Sequence, residues 1–102
     1  MKIVWTEPAV EDLHELHYFI ARDSEEYADR FVERIITAAE RLADHPRLGR
    51  VVPEVNEENI RELLYYNYRI IYRVASDRIE LLSVIHGARD LVACDPAPWE
   101  IL

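Results

Sequence analysis

Residues 60–86 read IRELLYYNYRIIYRVASDRIELLSVIH, three runs rich in isoleucine, valine, leucine and tyrosine. Branched and aromatic side chains of this kind favour β-strands, because they pack well on a pleated surface. The predicted strands are Ile60–Tyr65, Tyr68–Val74 and residues 79–86. The gaps between them are short enough for hairpin turns. The sequence therefore predicts a three-stranded antiparallel meander, which Gly87 ends.

Upstream of the meander, apolar residues recur at the three- and four-residue spacing of a helix. A first helix is predicted over residues 8–21, behind Thr6, whose side chain suits an N-cap. A second is predicted from Ser24 to near His45, because Pro46 disfavours helical geometry in the residue before it. In the second helix, three apolar residues are expected to be buried against the sheet: Phe31, Ile35 and Leu42. The short linker between the helices forces an antiparallel hairpin.

The remaining segments complete the predicted architecture. A short strand is expected at residues 2–5, and residues 47–59 are predicted to be a loop. The order β-α-α-β-β-β predicts an α+β fold in which the helical hairpin packs on a small antiparallel sheet. A chain of 102 residues suits one domain, 1–102, in which residues 91–102 form an irregular tail.

The charge of the chain is unevenly distributed. The net charge is −8; residues 1–45 carry five basic and eleven acidic side chains, whereas residues 46–90 carry seven of each. A protein that binds polyanions over its whole surface should be basic, so any phosphate contact would need a local arginine face. Cys94 is the only cysteine, and no segment resembles a secretion signal or a membrane span. A cytoplasmic location is therefore expected.

Four stretches resemble the RelE/ParE superfamily of toxins. They are VWTEPAVEDL (4–13), HPRLGRVVPE (45–54), IRELLYYNYRIIYRV (60–74) and IELLSVIHGARD (79–90). The resemblance covers roughly residues 2–90, and the same family has the predicted order of elements. The stretches YRIIYRV and HGARD are more similar to the ParE branch.

The resemblance implies the toxin of a type II toxin–antitoxin system, encoded beside a small antitoxin that neutralises it. ParE-like members poison DNA gyrase, whereas RelE-like members cleave messenger RNA on the ribosome, and fold alone does not separate the two. We expect a growth-arresting toxin that binds gyrase, is not itself an enzyme, and is neutralised by a ParD-like antitoxin that folds on binding. The alternatives are a ribosome-dependent mRNA endoribonuclease and a family member that binds antitoxin without toxicity.

The nuclease alternative has candidate catalytic residues. By position, Glu54, Arg69 and His86 resemble a trio that acts together in RelE-like nucleases, with Arg61 as an added phosphate contact. A histidine is suited to general acid–base work near neutral pH. The other interpretation of His86 is a hydrogen-bonding residue that caps the strand end. Family nucleases tend to carry several lysines on this sheet, whereas Lys2 is the only lysine here, which favours the gyrase interpretation.

The arginines of the meander have two interpretations. Arg61 and Arg69 lie on adjacent predicted strands, and Arg73 shares a face with Arg69. Together they could bind a phosphodiester. Alternatively, they form cross-strand ion pairs with Glu62 or Glu80.

The antitoxin is expected to cover apolar surface on the helices and part of the sheet, because the helices carry more apolar residues than a small sheet can bury. The predicted contact residues are Leu13, Leu16, Ile20, Arg69 and Arg73. No metal or cofactor is expected, because His14 and His17 lack a third convergent ligand and the sequence has no glycine-rich phosphate loop.

Overall fold

A computed structural model of the chain describes residues 1–100. Its elements are β1 (Lys2–Trp5), α1 (Glu7–Ala21), α2 (Glu25–Glu40), a 3₁₀ turn (Arg41–Ala43), β2 (Arg50–Val51), β3 (Ile60–Tyr65), β4 (Tyr68–Val74), β5 (Arg78–His86) and a second 3₁₀ turn (Pro98–Glu100). The α+β class and the helical hairpin on a mostly antiparallel sheet are confirmed.

The five strands form one sheet in the order β1-β5-β4-β3-β2. The β3–β4 and β4–β5 pairs are antiparallel, which confirms the predicted meander. The first strand runs parallel to β5, with Lys2 opposite Arg78. A parallel pair needs a long crossover, and here the chain between β1 and β5 contains the helical hairpin and strands β2 to β4.

Both helices begin at side-chain caps. The hydroxyl of Thr6 accepts a hydrogen bond from the Ala9 N–H at 3.4 Å, and that of Ser24 accepts one from the Tyr27 N–H at 3.1 Å. The second helix ends at Glu40 and tightens into a 3₁₀ turn, earlier than the predicted end near His45. Such tightening is a common way for a helix to end.

The strand β2 was not predicted, since residues 47–59 were expected to be a loop. Arg50 pairs with Glu62 and Val51 with Arg61, and the Val52 N–H donates to the carbonyl of Ile60. A strand of two residues is too short to produce a recognisable alternation of apolar and polar side chains. It is held in place by β3.

Apolar residues are buried on both faces of the sheet. On the helix side, Phe31, Ile35 and Leu42 are buried as predicted, together with Tyr72 and Ile79. The opposite face carries a smaller core, which the segment after β5 helps to cover: Val52, Ile60, Ile71, Leu82, Ile85 and Leu91. Alternate side chains of β4 and β5 are therefore buried on each side of the sheet.

Candidate functional site

The face of the sheet opposite the helices carries a chain of ion pairs centred on Arg69 in β4. The two terminal nitrogens of Arg69 donate to the two carboxylate oxygens of Glu54, each at 2.8 Å. Its Nε donates to Glu62 at 2.5 Å, and Glu62 also accepts from Nε of Arg50 at 2.7 Å. The side chain of Glu62 is fully buried and that of Arg69 is only 9% exposed. The arginine therefore has carboxylate partners on two sides.

These contacts change the acidity of both partners. Hydrogen bonds from Arg69 hold the pKa of the Glu54 carboxyl below its ordinary value, because they favour the charged form. The hydrogen bonds to Glu54 raise the pKa of Arg69 further above its already high value. Both groups are charged at neutral pH, and the pair is a bidentate, charge-assisted contact.

Arg61 lies on the other face of the sheet from Arg69. Its cross-strand partner in β4 is Tyr72, whereas Arg69 pairs with Leu64, and directly paired residues share a face. Its guanidinium donates to the carbonyl of Gly49 at 2.8 Å and to the carboxylate of Glu58 at 2.6 Å. The structure does not bring Arg61 to the Glu54–Arg69 pair. Instead, Arg61 stabilises the loop around β2.

Arg73 shares the face of Arg69, as predicted from the sequence. One terminal nitrogen donates to Glu80 at 3.3 Å, and the other donates to the backbone carbonyl of Trp99. The second contact fixes the tail segment to the sheet. Arg69 and Arg73 thus form ion pairs with Glu62 and Glu80, as the ion-pair interpretation expected, whereas Arg61 pairs with Glu58, which precedes β3. The pairs of Arg69 and Arg73 are more buried than a solvated sheet face would be.

His86 ends β5 and is exposed. Its Nδ1 accepts a hydrogen bond from the Ala88 N–H at 3.1 Å, and its ring packs edge-on against Tyr68, with 5.4 Å between ring centroids. This is the geometry of the strand-capping interpretation. His86 and Arg69 also line one shallow groove of about 200 Å³ beside the β3–β4 turn, so they share a surface.

The predicted antitoxin contacts differ in exposure. Leu13 and Leu16 are buried in the core, and Ile20 is partly buried against it. Leu13 also borders an apolar groove of about 390 Å³ between the two helices, with Trp5 and Ile36 among its other walls. The groove leaves an edge of Leu13 accessible, while Leu16 does not line it.

Some exposed side chains are not among the predicted antitoxin contacts. Tyr18 and Phe19 are 74% and 63% exposed at the end of α1, and Tyr66 is 74% exposed in the β3–β4 turn. Tyr66 has a positive φ of 50°, a conformation uncommon outside glycine. The sequence does carry a signal for the exposure of Tyr18 and Phe19. They are adjacent aromatic residues at a helix end, and helical periodicity can bury only one of them.

The two histidines of α1 do not form a metal site with neighbouring ligands. Nε2 of His17 bonds to a carboxylate oxygen of Asp29 at 2.6 Å, which joins α1 to α2. Among residues 1–100, no cluster of three or more His, Cys, Asp or Glu side chains is arranged to hold a metal ion. Within the same range, no helix is long and apolar enough to cross a membrane.

Asp12 joins α1 to the sheet. Its carboxylate accepts hydrogen bonds from the Ser83 hydroxyl at 2.7 Å and from the Val84 N–H at 2.9 Å. Burial raises the pKa of Asp12 above its ordinary value, and these two hydrogen bonds oppose the rise. The position of Asp12 explains how α1 is fixed over β5.

The family model for the ParE toxin of the type II toxin–antitoxin system parDE matches residues 3–91. The chain belongs to the ParE toxin family. The match runs from β1 to the segment just after β5 and leaves most of the tail outside. The ParE model therefore covers every residue of the Glu54–Arg69–Glu62 ion pairs.

Proteins similar to this ParE-family chain include a toxin named RelE2 and a solved ParDE structure. Y4kP of Sinorhizobium fredii is 37% identical over 88 residues, which cover 84% of this chain and 88% of Y4kP. Toxin RelE2 of Caulobacter vibrioides is 34% identical over 89 residues, which cover 86% of this chain and 97% of RelE2. A solved structure of the chromosomal ParDE system from P. aeruginosa has a TM-score of 0.69 at 21% identity, covering 84% of this chain and 95% of the other. That likeness shows a shared fold.

Proposed function

We propose that this ParE-family toxin stops growth by binding DNA gyrase in the cytoplasm, without breaking a bond itself. The observation that carries the proposal is the bidentate pair of Arg69 with Glu54, at 2.8 Å for both hydrogen bonds. A phosphodiester would need to displace Glu54 before Arg69 could bind it. The Nδ1 of His86 is likewise engaged with the Ala88 N–H.

The distribution of charge supports the same proposal. The net charge is −8, and the sheet arginines that could contact phosphate are neutralised by carboxylates. Binding of RNA depends strongly on basic surface, and little unpaired positive charge remains on the sheet. A protein target needs no such surface.

We further propose a ParD-like antitoxin that folds as it binds. The apolar groove between the helices, about 390 Å³ in volume, offers the anchoring pocket that such a segment needs. Leu13 lines the groove, and Val10 at its rim is 37% exposed. Ile20 is partly buried near the end of α1. These contacts belong to the helical hairpin and leave the Glu54–Arg69 pair untouched.

A ribosome-dependent mRNA endoribonuclease is the second candidate. One observation favours it: Glu54 contacts Arg69, and Arg69 and His86 line the same groove. A relative at 34% identity is also named toxin RelE2. In this case Glu54 would have to release Arg69 when RNA enters.

The two candidates are separated by inducing the toxin without antitoxin and pulse-labelling DNA and protein synthesis in parallel. The gyrase proposal predicts that DNA synthesis fails first and that messenger RNA remains uncut. Failure of translation first, with cut messenger RNA, would contradict it. Purified gyrase assayed for supercoiling with and without the toxin provides the direct check.

A further inference from the structure

The outer edge of β3 is only half covered. The neighbouring strand β2 pairs with Arg61 and Glu62 alone. Before β2 the chain lies on the helix side, where the Gly49 N–H donates to the hydroxyl of Tyr72 at 3.0 Å. Opposite the second half of β3, no strand lies within the part of the chain that the structure describes.

The backbone of Leu64 points out of this open edge. The carbonyl of Ile60 accepts from the Val52 N–H, so Ile60 faces the β2 side. Alternate residues of a strand direct their backbone groups to the same side, and the β3–β4 register is regular. Leu64 therefore presents its N–H and C=O outward. Its side chain is 59% exposed, on the face opposite the helices.

A groove of about 740 Å³ runs along the flank of α2 and reaches Tyr65 of β3. Its charged lining consists of Arg30, Glu33, Arg34, Glu40 and Arg41. Edge-to-face packing of Phe31 in α2 against Tyr65, with 5.4 Å between ring centroids, fixes this flank beside the strand edge. The open edge and the groove are therefore parts of one surface.

The groove carries positive charge that no carboxylate of the described residues neutralises. Arg34 and Arg41 form no ion pair within residues 1–100, and Arg30 makes one exposed pair with Glu26 at 3.3 Å. The sheet arginines, in contrast, all have carboxylate partners. The positive charge available to a partner thus lies on α2 and on the 3₁₀ turn that follows it, although Glu33 and Glu40 reduce its strength.

We propose that the β3 edge at Leu64, with the groove along α2, receives an extended segment of the antitoxin in which acidic and apolar residues alternate. This inference rests on the proposed function, which supplies the antitoxin as partner. In an added strand, alternate side chains point to opposite faces of the sheet. The acidic set would face Arg34 and Arg41, and the apolar set would cover Leu64.

The spacing of the two arginines fits such a strand. Arg41 lies seven positions after Arg34, which corresponds to ~10 Å along the helix axis. In a strand, side chains on the same side are ~7 Å apart when they are two positions apart and ~14 Å apart when they are four positions apart. Long arginine side chains can reach partners at either spacing.

Hydrogen exchange of the toxin, free and bound to the antitoxin encoded beside it, tests the backbone part. Exchange of the Leu64 amide is expected to slow at least tenfold in the complex, because an added strand accepts that N–H. Unchanged exchange at Leu64 within a formed complex would overturn the inference and leave the proposed function standing. Absence of any complex would overturn both.

Charge reversal tests the side-chain part. The double variant Arg34→Glu/Arg41→Glu should raise the Kd for antitoxin at least tenfold. The control is Arg22→Glu, at an arginine that lies off the groove and makes no ion pair within the described residues; it should change the Kd less than twofold. An unchanged Tm would show that both variants fold. Equal effects of the two variants, or a toxin-only dimer that the double variant abolishes, would overturn the inference.

Discussion

Arg69 and Glu54 meet through two parallel hydrogen bonds of 2.8 Å, which tie the loop after β2 to the middle of the sheet. Glu54→Gln should lower the free energy of unfolding at pH 7 by ~1.5–3 kcal/mol, because a charge-assisted pair is replaced by a weaker contact. Urea unfolding measures the change. Glu57→Gln, at an exposed position without an ion pair in the described chain, is the control and should have little effect.

The same pair predicts a pH dependence. The pKa of Glu54 is lowered from its ordinary value of 4.5, so its contribution to stability is present above that value and is lost as the pH falls through the lower folded-state pKa. The unfolding free energies of the native chain and of Glu54→Gln should therefore converge as the pH is lowered below about 4.5. A difference that grows in acid would contradict the assignment.

Gly49 should not tolerate a side chain. A Cβ at this position would lie 2.4 Å from the carbonyl oxygen of Glu62 and 2.8 Å from the hydroxyl of Tyr72. Gly49→Ala should therefore destabilise the fold by ~1–3 kcal/mol, the usual cost of overpacking. Gly87→Ala, whose nearest neighbour would be the Asn67 carbonyl at 3.2 Å, should cost less. Thermal unfolding of the two variants gives the comparison.

Phe31 should be the most sensitive aromatic residue of the helical hairpin. It is 6% exposed and packs against the rings of Tyr65 and Tyr68. Phe31→Ala should cost ~3–5 kcal/mol of unfolding free energy. Phe19→Ala, at a position 63% exposed, should cost under ~0.5 kcal/mol. A loss below ~1 kcal/mol for Phe31→Ala would be inconsistent with the packing of α2 on the sheet.

The gyrase proposal predicts that His86→Ala leaves toxicity largely intact, since a binding inhibitor needs no proton transfer. A nuclease that relied on His86 as general acid or base would lose ~10²–10⁴-fold in rate. Growth arrest and messenger RNA cleavage should be scored at matched expression, with antitoxin binding as the check of folding. Abolished toxicity in a folded, antitoxin-binding variant would favour Glu54, Arg69 and His86 as a catalytic trio.

The sequence predicted the elements with strong periodicity and missed those that depend on neighbours. Helices α1 and α2 and strands β3, β4 and β5 follow from apolar spacing over many residues. The strand β2 could not be predicted, because its two residues are defined by pairing with β3. The early end of α2 at Glu40 depends on a local change of hydrogen bonding that side-chain periodicity does not record.

The placement of the sheet arginines could be predicted in part from the sequence. A two-residue turn after Tyr65 fixes the β3–β4 register, which pairs Arg61 with Tyr72 and places it on the face away from Arg69. The ion pairs were one of two interpretations of the sequence, because the hydrogen bond from Arg69 to Glu54 joins segments 15 positions apart in the chain. Leu13 belongs to an apolar stripe of α1 that contributes to both the core and the groove. The spacing of apolar residues alone therefore cannot decide whether Leu13 packs in the core or contacts the antitoxin.

The parallel pairing of β1 with β5 has a consequence for synthesis. This pairing joins Lys2 and Arg78, which are about 75 positions apart. The first strand therefore cannot pair until the last strand has left the ribosome. At roughly 5–20 residues per second, that wait is about 4–15 seconds. Throughout it, the sheet is incomplete and the helical hairpin lacks the surface that it covers. A newly made chain is therefore exposed to proteases and chaperones for seconds before it can act.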